Sequence, residues 1–177
     1  MNKYFKILKK YSIAEDSFEI ILNHSLIVLS KSIEIINKKN FYDKIDFGLI
    51  VSGCLLHDIG VFGLKNGGLD VTKRVDYLQH GIFGGKILRK EKLFKEALIA
   101  ERHIGSGLSK EYIMQNNLPL PKKDFLPITL EQKLICYADK FHSKSGKIDT
   151  IDSIKKEMKG FGKESLRRFL ELDKLFG

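Results

Sequence analysis

The sequence has no tryptophan, only three prolines and two cysteines in 177 residues, and no long apolar run. Each shortage excludes something. All three prolines lie within residues 118–127, so that stretch is expected to be an irregular connector while the rest of the chain is free to form helices. Cys54 and Cys136 both sit inside apolar segments and share no Cys-x-x-Cys spacing. They read as small core residues of a reducing compartment, which leaves out a disulfide framework and a thiolate metal site. No segment approaches the roughly 20 apolar residues of a membrane helix. The opening Met1-Asn2-Lys3-Tyr4-Phe5 lacks the apolar core of a secretion signal. A cytoplasmic location with no membrane partner is therefore expected, and the length suits one domain over residues 1–177.

Charge is present in excess of one sign. Thirty-one basic residues against 22 acidic ones leave a net charge of +9, which favours anionic partners such as nucleotides or phosphorylated metabolites. The lysines are scattered from Lys3 to Lys174 with no dense tract interleaved with aromatics. Nucleic acid is thus a weaker expectation than a small phosphorylated ligand.

Hydrophobic periodicity is helical throughout, and the expected fold class is all-α. Asp16 or Ser17 opens a long helix through Phe18, Ile21, Leu22, Leu26, Leu29 and Ile33, fading at Asn37-Lys38-Lys39-Asn40. A second helix is expected over residues 46–58, with Gly60 placed to stop it. Residues 61–71, rich in glycine, read as a loop. Shorter helices follow near 81–89 and 92–103, and Ser109 opens another. Thr129 is a good amino-terminal cap for a helix through Leu134, Ile135, Ala138 and Phe141. Two amphipathic segments near 151–158 and 163–176 end the chain.

Against this apolar background the run Leu55-Leu56-His57-Asp58-Ile59-Gly60 stands out. An adjacent imidazole and carboxylate at the end of an apolar helix require partners or a metal. His24 lies upstream, His80 and His103 downstream, and Asp139 follows within another apolar helix. Alone, each has an ordinary structural reading as a satisfied core histidine or a partly buried carboxylate. Together, on helices that must pack against one another, they form a nitrogen and oxygen donor set suited to iron, manganese, cobalt, nickel or zinc. An adjacent His-Asp pair lets the carboxylate bridge two ions, and a two-ion centre clamps both ends of a phosphoryl displacement.

The order His24, His57-Asp58, Asp139 resembles the HD-domain phosphohydrolases, and His57-Asp58-Ile59-Gly60 is similar to their HDIG variant. Small stand-alone members are also similar at Glu101-Arg102-His103-Ile104-Gly105-Ser106-Gly107-Leu108, and at Pro127-Ile128-Thr129-Leu130-Glu131-Gln132-Lys133 leading to Tyr137-Ala138-Asp139. The resemblance implies a compact helical bundle with a metal-binding core over about residues 17–145 and carboxy-terminal helices over 146–177. It implies a metal-dependent phosphohydrolase cleaving a phosphoester or phosphoanhydride through metal-bound hydroxide, with Asp58 and His57 as catalytic residues. His80 and His103 stand where the two extra histidines of dinuclear members stand. On that pattern His24, His57, Asp58 and Asp139 hold a first divalent ion, and Asp58, His80 and His103 hold a second.

Other positions fit less closely. Val61 stands where many relatives carry a phosphate-reaching lysine, which leaves Lys65, Arg102 and Lys140 as candidate substrate-binding residues. The Gly-Tyr-Pro element of cyclic-di-GMP phosphodiesterases is absent, as is a second histidine beside His103. A mononuclear nucleotide phosphomonoesterase and a non-catalytic nucleotide-binding regulatory module are the alternatives. Oligomeric state is not readable.

Overall fold

A computed structural model describes residues 3–64, 77–143 and 148–177. Among these residues there are nine α-helices and no strands, only isolated bridges such as Leu108 with Phe125. In chain order the helices are α1 (Lys3–Tyr11), α2 (Glu15–Lys39), α3 (Phe47–Leu56), α4 (His80–Lys90), α5 (Phe94–Arg102), α6 (Lys110–Gln115), α7 (Leu130–Ala138), α8 (Ile151–Gly160) and α9 (Lys163–Phe176). The expected all-α class is observed. Helix α1 was not anticipated, because its lysines mask a short stripe in which Ile7 and Leu8 are buried.

Side-chain caps set several helix starts. Asp46 accepts from the Leu49 amide at 3.0 Å to open α3. Ser109 accepts from Tyr112 at 3.2 Å for α6, and Thr129 from Gln132 at 3.3 Å for α7. Each cap satisfies one of the amide donors a helix start leaves unpaired. The expected stop at Gly60 is not what ends α3. That helix closes at Leu56, and Gly60 lies in a 3-10 turn over Ile59–Gly63. A Cβ on Gly60 would sit 1.9 Å from the His80 carbonyl oxygen and 2.2 Å from the Gly84 nitrogen. The glycine is there to let α4 approach the turn after His57-Asp58. Val61 and Phe62 at the start of the expected loop are buried within that turn, which ends at Gly63; its residues from Lys65 on lie outside the described residues.

Helices α3, α5 and α7 run in the same direction. Their amino-terminal ends meet where the Asp46 amide donates to Glu131 at 3.1 Å and Lys95 pairs with Asp46 at 3.5 Å. Their carboxy-terminal ends therefore converge at the opposite end of the bundle. One core cluster fills the space between them, joining Val28, Ile36 and Ile50 to Leu134, Ile135 and the α9 residues Phe169, Leu172 and Phe176. A second cluster joins α1 to Phe18, Ile21, Leu56, Leu88 and Ala97. Burying a large apolar side chain contributes about 1.5–3 kcal/mol, so α9 is an integral wall of the first cluster.

Candidate metal centre

Each of the three parallel helices stops at a metal-ligating residue type: α3 at His57, α5 at His103 and α7 at Asp139. The negative ends of three helix dipoles consequently point at one place, which favours a cation there. His24 reaches the same place from the middle of α2, and His80 from the first turn of α4. His24, His57, Asp58, His80 and His103 are all buried, and the Asp139 side chain nearly so.

Three of the four histidines are oriented identically. Nδ1 of His57 donates to the Cys54 carbonyl at 2.8 Å, that of His80 to Tyr77 at 2.6 Å, and that of His103 to Ala100 at 2.9 Å. A carbonyl can only accept, so Nδ1 carries the hydrogen and Nε2 faces inward, where its lone pair is available whenever the ring is neutral. This is the arrangement that prepares an imidazole to bind a metal. The inward Nε2 atoms are close: 2.9 Å between His80 and His103, and 3.3 Å between His57 and His24. Lone pairs facing each other at such distances need a proton or a cation between them.

The carboxylates complete two sets of donors. Asp58 Oδ2 lies 3.4 Å from Nε2 of both His24 and His57. Its Oδ1 lies 3.3 Å from Nε2 of His80 and 3.5 Å from that of His103. Asp139 Oδ1 is 2.9 Å from His24 Nε2 and 3.4 Å from His57 Nε2. Two ligand-ready groups, His24 with His57 and Asp139, and His57 with Asp58 and His103, hold their donor atoms within 4.8 Å of one another. This buried donor set fits a divalent transition metal.

The electrostatics differ across the cluster. Burial opposes charge on His57, but Asp58 and Asp139 outweigh it and push the imidazole up to about 10. Burial dominates at His103, with His57 and His80 adding to it, and holds that imidazole down at about 4. Burial works against ionisation of Asp139 as well. The ammonium of Lys140 and the imidazoles of His24 and His57 nonetheless hold it well below the usual carboxylate range.

Lys140, expected as a substrate contact, is drawn into this cluster. Its Nζ lies 2.7 Å from Asp139 Oδ2 and donates to the His103 carbonyl at 3.2 Å, and it also lines the adjoining cavity. Arg102 goes elsewhere: it donates to Gln132 at 2.9 Å and is not among the residues lining that cavity. The cavity is about 400 Å³. The candidate ligands His24, His80, His103 and Asp139 line it together with Tyr77, Leu78, Ile104 and Phe161. Phe161 and Glu157, also on its wall, were missed by sequence reasoning; only the four-residue spacing that places both on one side of α8 and its end hinted at them. Cys54 and Cys136 are buried, with thiols pushed up to about 12 and about 11 by burial, in keeping with core roles.

Residues 21–144 match the HD domain family. The chain belongs to the HD domain family. An uncharacterized protein of Methanocaldococcus jannaschii is 38% identical over 162 residues, covering 88% of this chain and 86% of that protein. Two archaeal proteins named tRNA (cytidine(56)-2′-O)-methyltransferase are also similar. The one from Picrophilus torridus is 32% identical over 122 residues, covering 68% of this chain and 31% of its own length. The one from Thermoplasma volcanium is 30% identical over 134 residues, covering 75% and 33%. This HD domain thus spans about a third of either methyltransferase. Among solved structures, the HD domain of the L. monocytogenes phosphodiesterase PgpH in complex with cyclic-di-AMP superposes with a TM-score of 0.53. That match covers 97% of this chain and 93% of the other at 16% identity, a likeness of fold. No described helix of this HD domain is long and apolar enough to cross a membrane.

Proposed function

We propose that this HD domain protein is a metal-dependent phosphohydrolase with a two-ion centre, acting on a phosphoester or phosphoanhydride of a nucleotide or similar small molecule. The observation that carries the reading is the placement of Asp58. Its two oxygens face different donor sets, Oδ2 toward His24 and His57 and Oδ1 toward His80 and His103, as a bridging carboxylate must. His24, His57, Asp58 and Asp139 would hold one ion and Asp58, His80 and His103 the other. Bound divalent ions supply a hydroxide nucleophile at neutral pH and neutralise charge on the phosphoryl oxygens.

The chain's own residues account for the rest. The carbonyls of Cys54, Tyr77 and Ala100 fix the imidazoles so that no reorganisation is needed when a ligand arrives. Lys140 spends two of its three N–H donors on Asp139 and His103. On this reading it orients Asp139 toward its ion through Oδ1 and turns its remaining donor to a phosphate oxygen in the cavity. Tyr77, Leu78, Ile104 and Phe161 give the cavity an apolar side that suits a nucleoside better than a bare polyphosphate.

Elemental analysis of protein purified without chelator tests the centre, and a screen of phosphomonoesters and phosphodiesters with added Mn²⁺ tests the activity. Two metal equivalents per chain with hydrolysis of a nucleotide substrate are expected. One equivalent would favour a mononuclear phosphomonoesterase. Tight nucleotide binding without turnover under any metal would favour a regulatory module. A second reading, a phosphate carried on RNA, is favoured by the +9 charge and the two tRNA methyltransferase relatives. Salt-sensitive retention of tRNA in a gel-shift assay would support it.

A further inference from the structure

The loop after His103 is built to be held from outside. Gly105 and Gly107 both adopt left-handed conformations, with φ of 58° and 89°, and glycine gives such a loop little rigidity of its own. On one side α7 and the residue after Asp139 grip it. Cys136 Sγ meets the carbonyls of His103 and Gly105 at 3.5 and 3.4 Å, and Lys140 donates to His103.

On the other side the grip comes from residues 161–168, beyond the span that matches the HD family. The Phe161 ring lies against Gly105, 3.6 Å from where a Cβ would stand. Ser106 Oγ donates to the Ser165 carbonyl at 2.7 Å and pairs with Ser165 Oγ at 2.8 Å, and both serines are buried. Arg168 Nε donates to the Ser106 carbonyl at 3.2 Å and Nη2 to the Gly107 carbonyl at 2.9 Å. Ser165 and Arg168 stand three residues apart on the first turns of α9 and meet Ser106 and Gly107 together, while Phe161, at the end of α8 before the turn at Gly162, covers Gly105. The planar guanidinium satisfies the two carbonyls from two separate nitrogens in a fixed geometry, which the single nitrogen of a lysine does not offer.

We infer that Arg168 is a positioning residue for His103, and that α9 in this way sets occupancy of the ion held by Asp58, His80 and His103. The inference rests on the two-ion reading above. It assigns the carboxy-terminal helices a share in the metal centre although none of their residues is a ligand. Changes to groups that orient ligands typically weaken metal affinity 10–100-fold, and an effect relayed through a loop belongs at the low end.

Calorimetric titration of metal-free full-length protein with Mn²⁺ tests it. The unsubstituted protein is expected to bind in two resolvable steps. Arg168→Met should weaken the second step about tenfold and leave the first within about twofold, and Arg168→Lys should recover part of the loss. Ser165→Ala, a smaller lesion should Arg168→Met fold poorly, should weaken the same step about threefold. A second step unchanged in folded Arg168→Met, or both steps weakened alike, would overturn the inference while leaving the two-ion centre standing. A single step of one equivalent in the unsubstituted protein would overturn the two-ion reading and the positioning role with it, and a single step of two equivalents unchanged in Arg168→Met would overturn the positioning role alone.

Discussion

The two halves of the proposed metal centre both face Asp58 but are built differently. The half with His24 and His57 includes a second carboxylate, Asp139, itself paired with the Lys140 ammonium. The half with His80 and His103 has imidazoles alone besides Asp58 Oδ1. The same contrast appears in the electrostatics. Two neighbouring carboxylates push His57 up to about 10, whereas His103, with burial dominant, sits at about 4. The first half attracts a cation through its own charge. The second depends on Asp58, on the dipole of α5 and on how well its loop is held. The backbone carbonyls that orient His57, His80 and His103 alike therefore do not make the halves equivalent, and the second should release its ion more readily.

The largest break comes from removing what they share. Asp58→Ala is expected to abolish binding of both ions by elemental analysis and to lower phosphohydrolase activity about 10³-fold or more, because several kcal/mol of charge stabilisation go with them. His103→Ala should affect one half only. Metal content is expected to fall from two equivalents to one, with activity reduced about 10²-fold in a steady-state assay; loss of both ions would erase the distinction between the halves.

Lys140→Met sharpens the comparison from the opposite side, since Lys140 contacts a candidate ligand of each half, Asp139 and the His103 carbonyl. A roughly tenfold loss of activity is expected, with the folded protein still binding metal, as measured by paired kinetics and metal analysis. The smallest effect belongs to Arg102, whose guanidinium is engaged with Gln132 outside the cavity. Arg102→Ala should leave kcat/KM within about twofold and lower stability in a denaturant titration by about 1 kcal/mol, the worth of one side-chain hydrogen bond.

What could be read from the sequence follows from chemistry. His24, His57-Asp58, His80, His103 and Asp139 are rare polar types on apolar helices, so they announce themselves, and the structure brings all six together. The caps Ser109 and Thr129 were equally legible, because an oxygen-bearing side chain before an apolar stripe has few other uses. Gly60 was noticed for the wrong reason. A glycine near a helix end reads as a stop, whereas here it admits the backbone of a helix distant in sequence. The roles of Ser165 and Arg168 had no signal at all. They bind backbone carbonyls, which every residue carries, and nothing separates Arg168 from the other basic residues until the chain is folded. Arg102 shows the converse, since it follows the same logic of standing beside a cluster residue as Lys140 does, yet its side chain is engaged by Gln132 and does not line the cavity.

The central claim is that Asp58 bridges two ions. Diffraction from Mn²⁺-loaded crystals, with anomalous data collected at the manganese edge, tests it most directly. The account predicts two peaks about 3.5–4 Å apart on either side of the Asp58 carboxylate, one beside His24 and Asp139 and one beside His80 and His103. A single peak beside His24 and Asp139 at saturating metal, with His80 and His103 still facing each other across an ion-free gap, would contradict it.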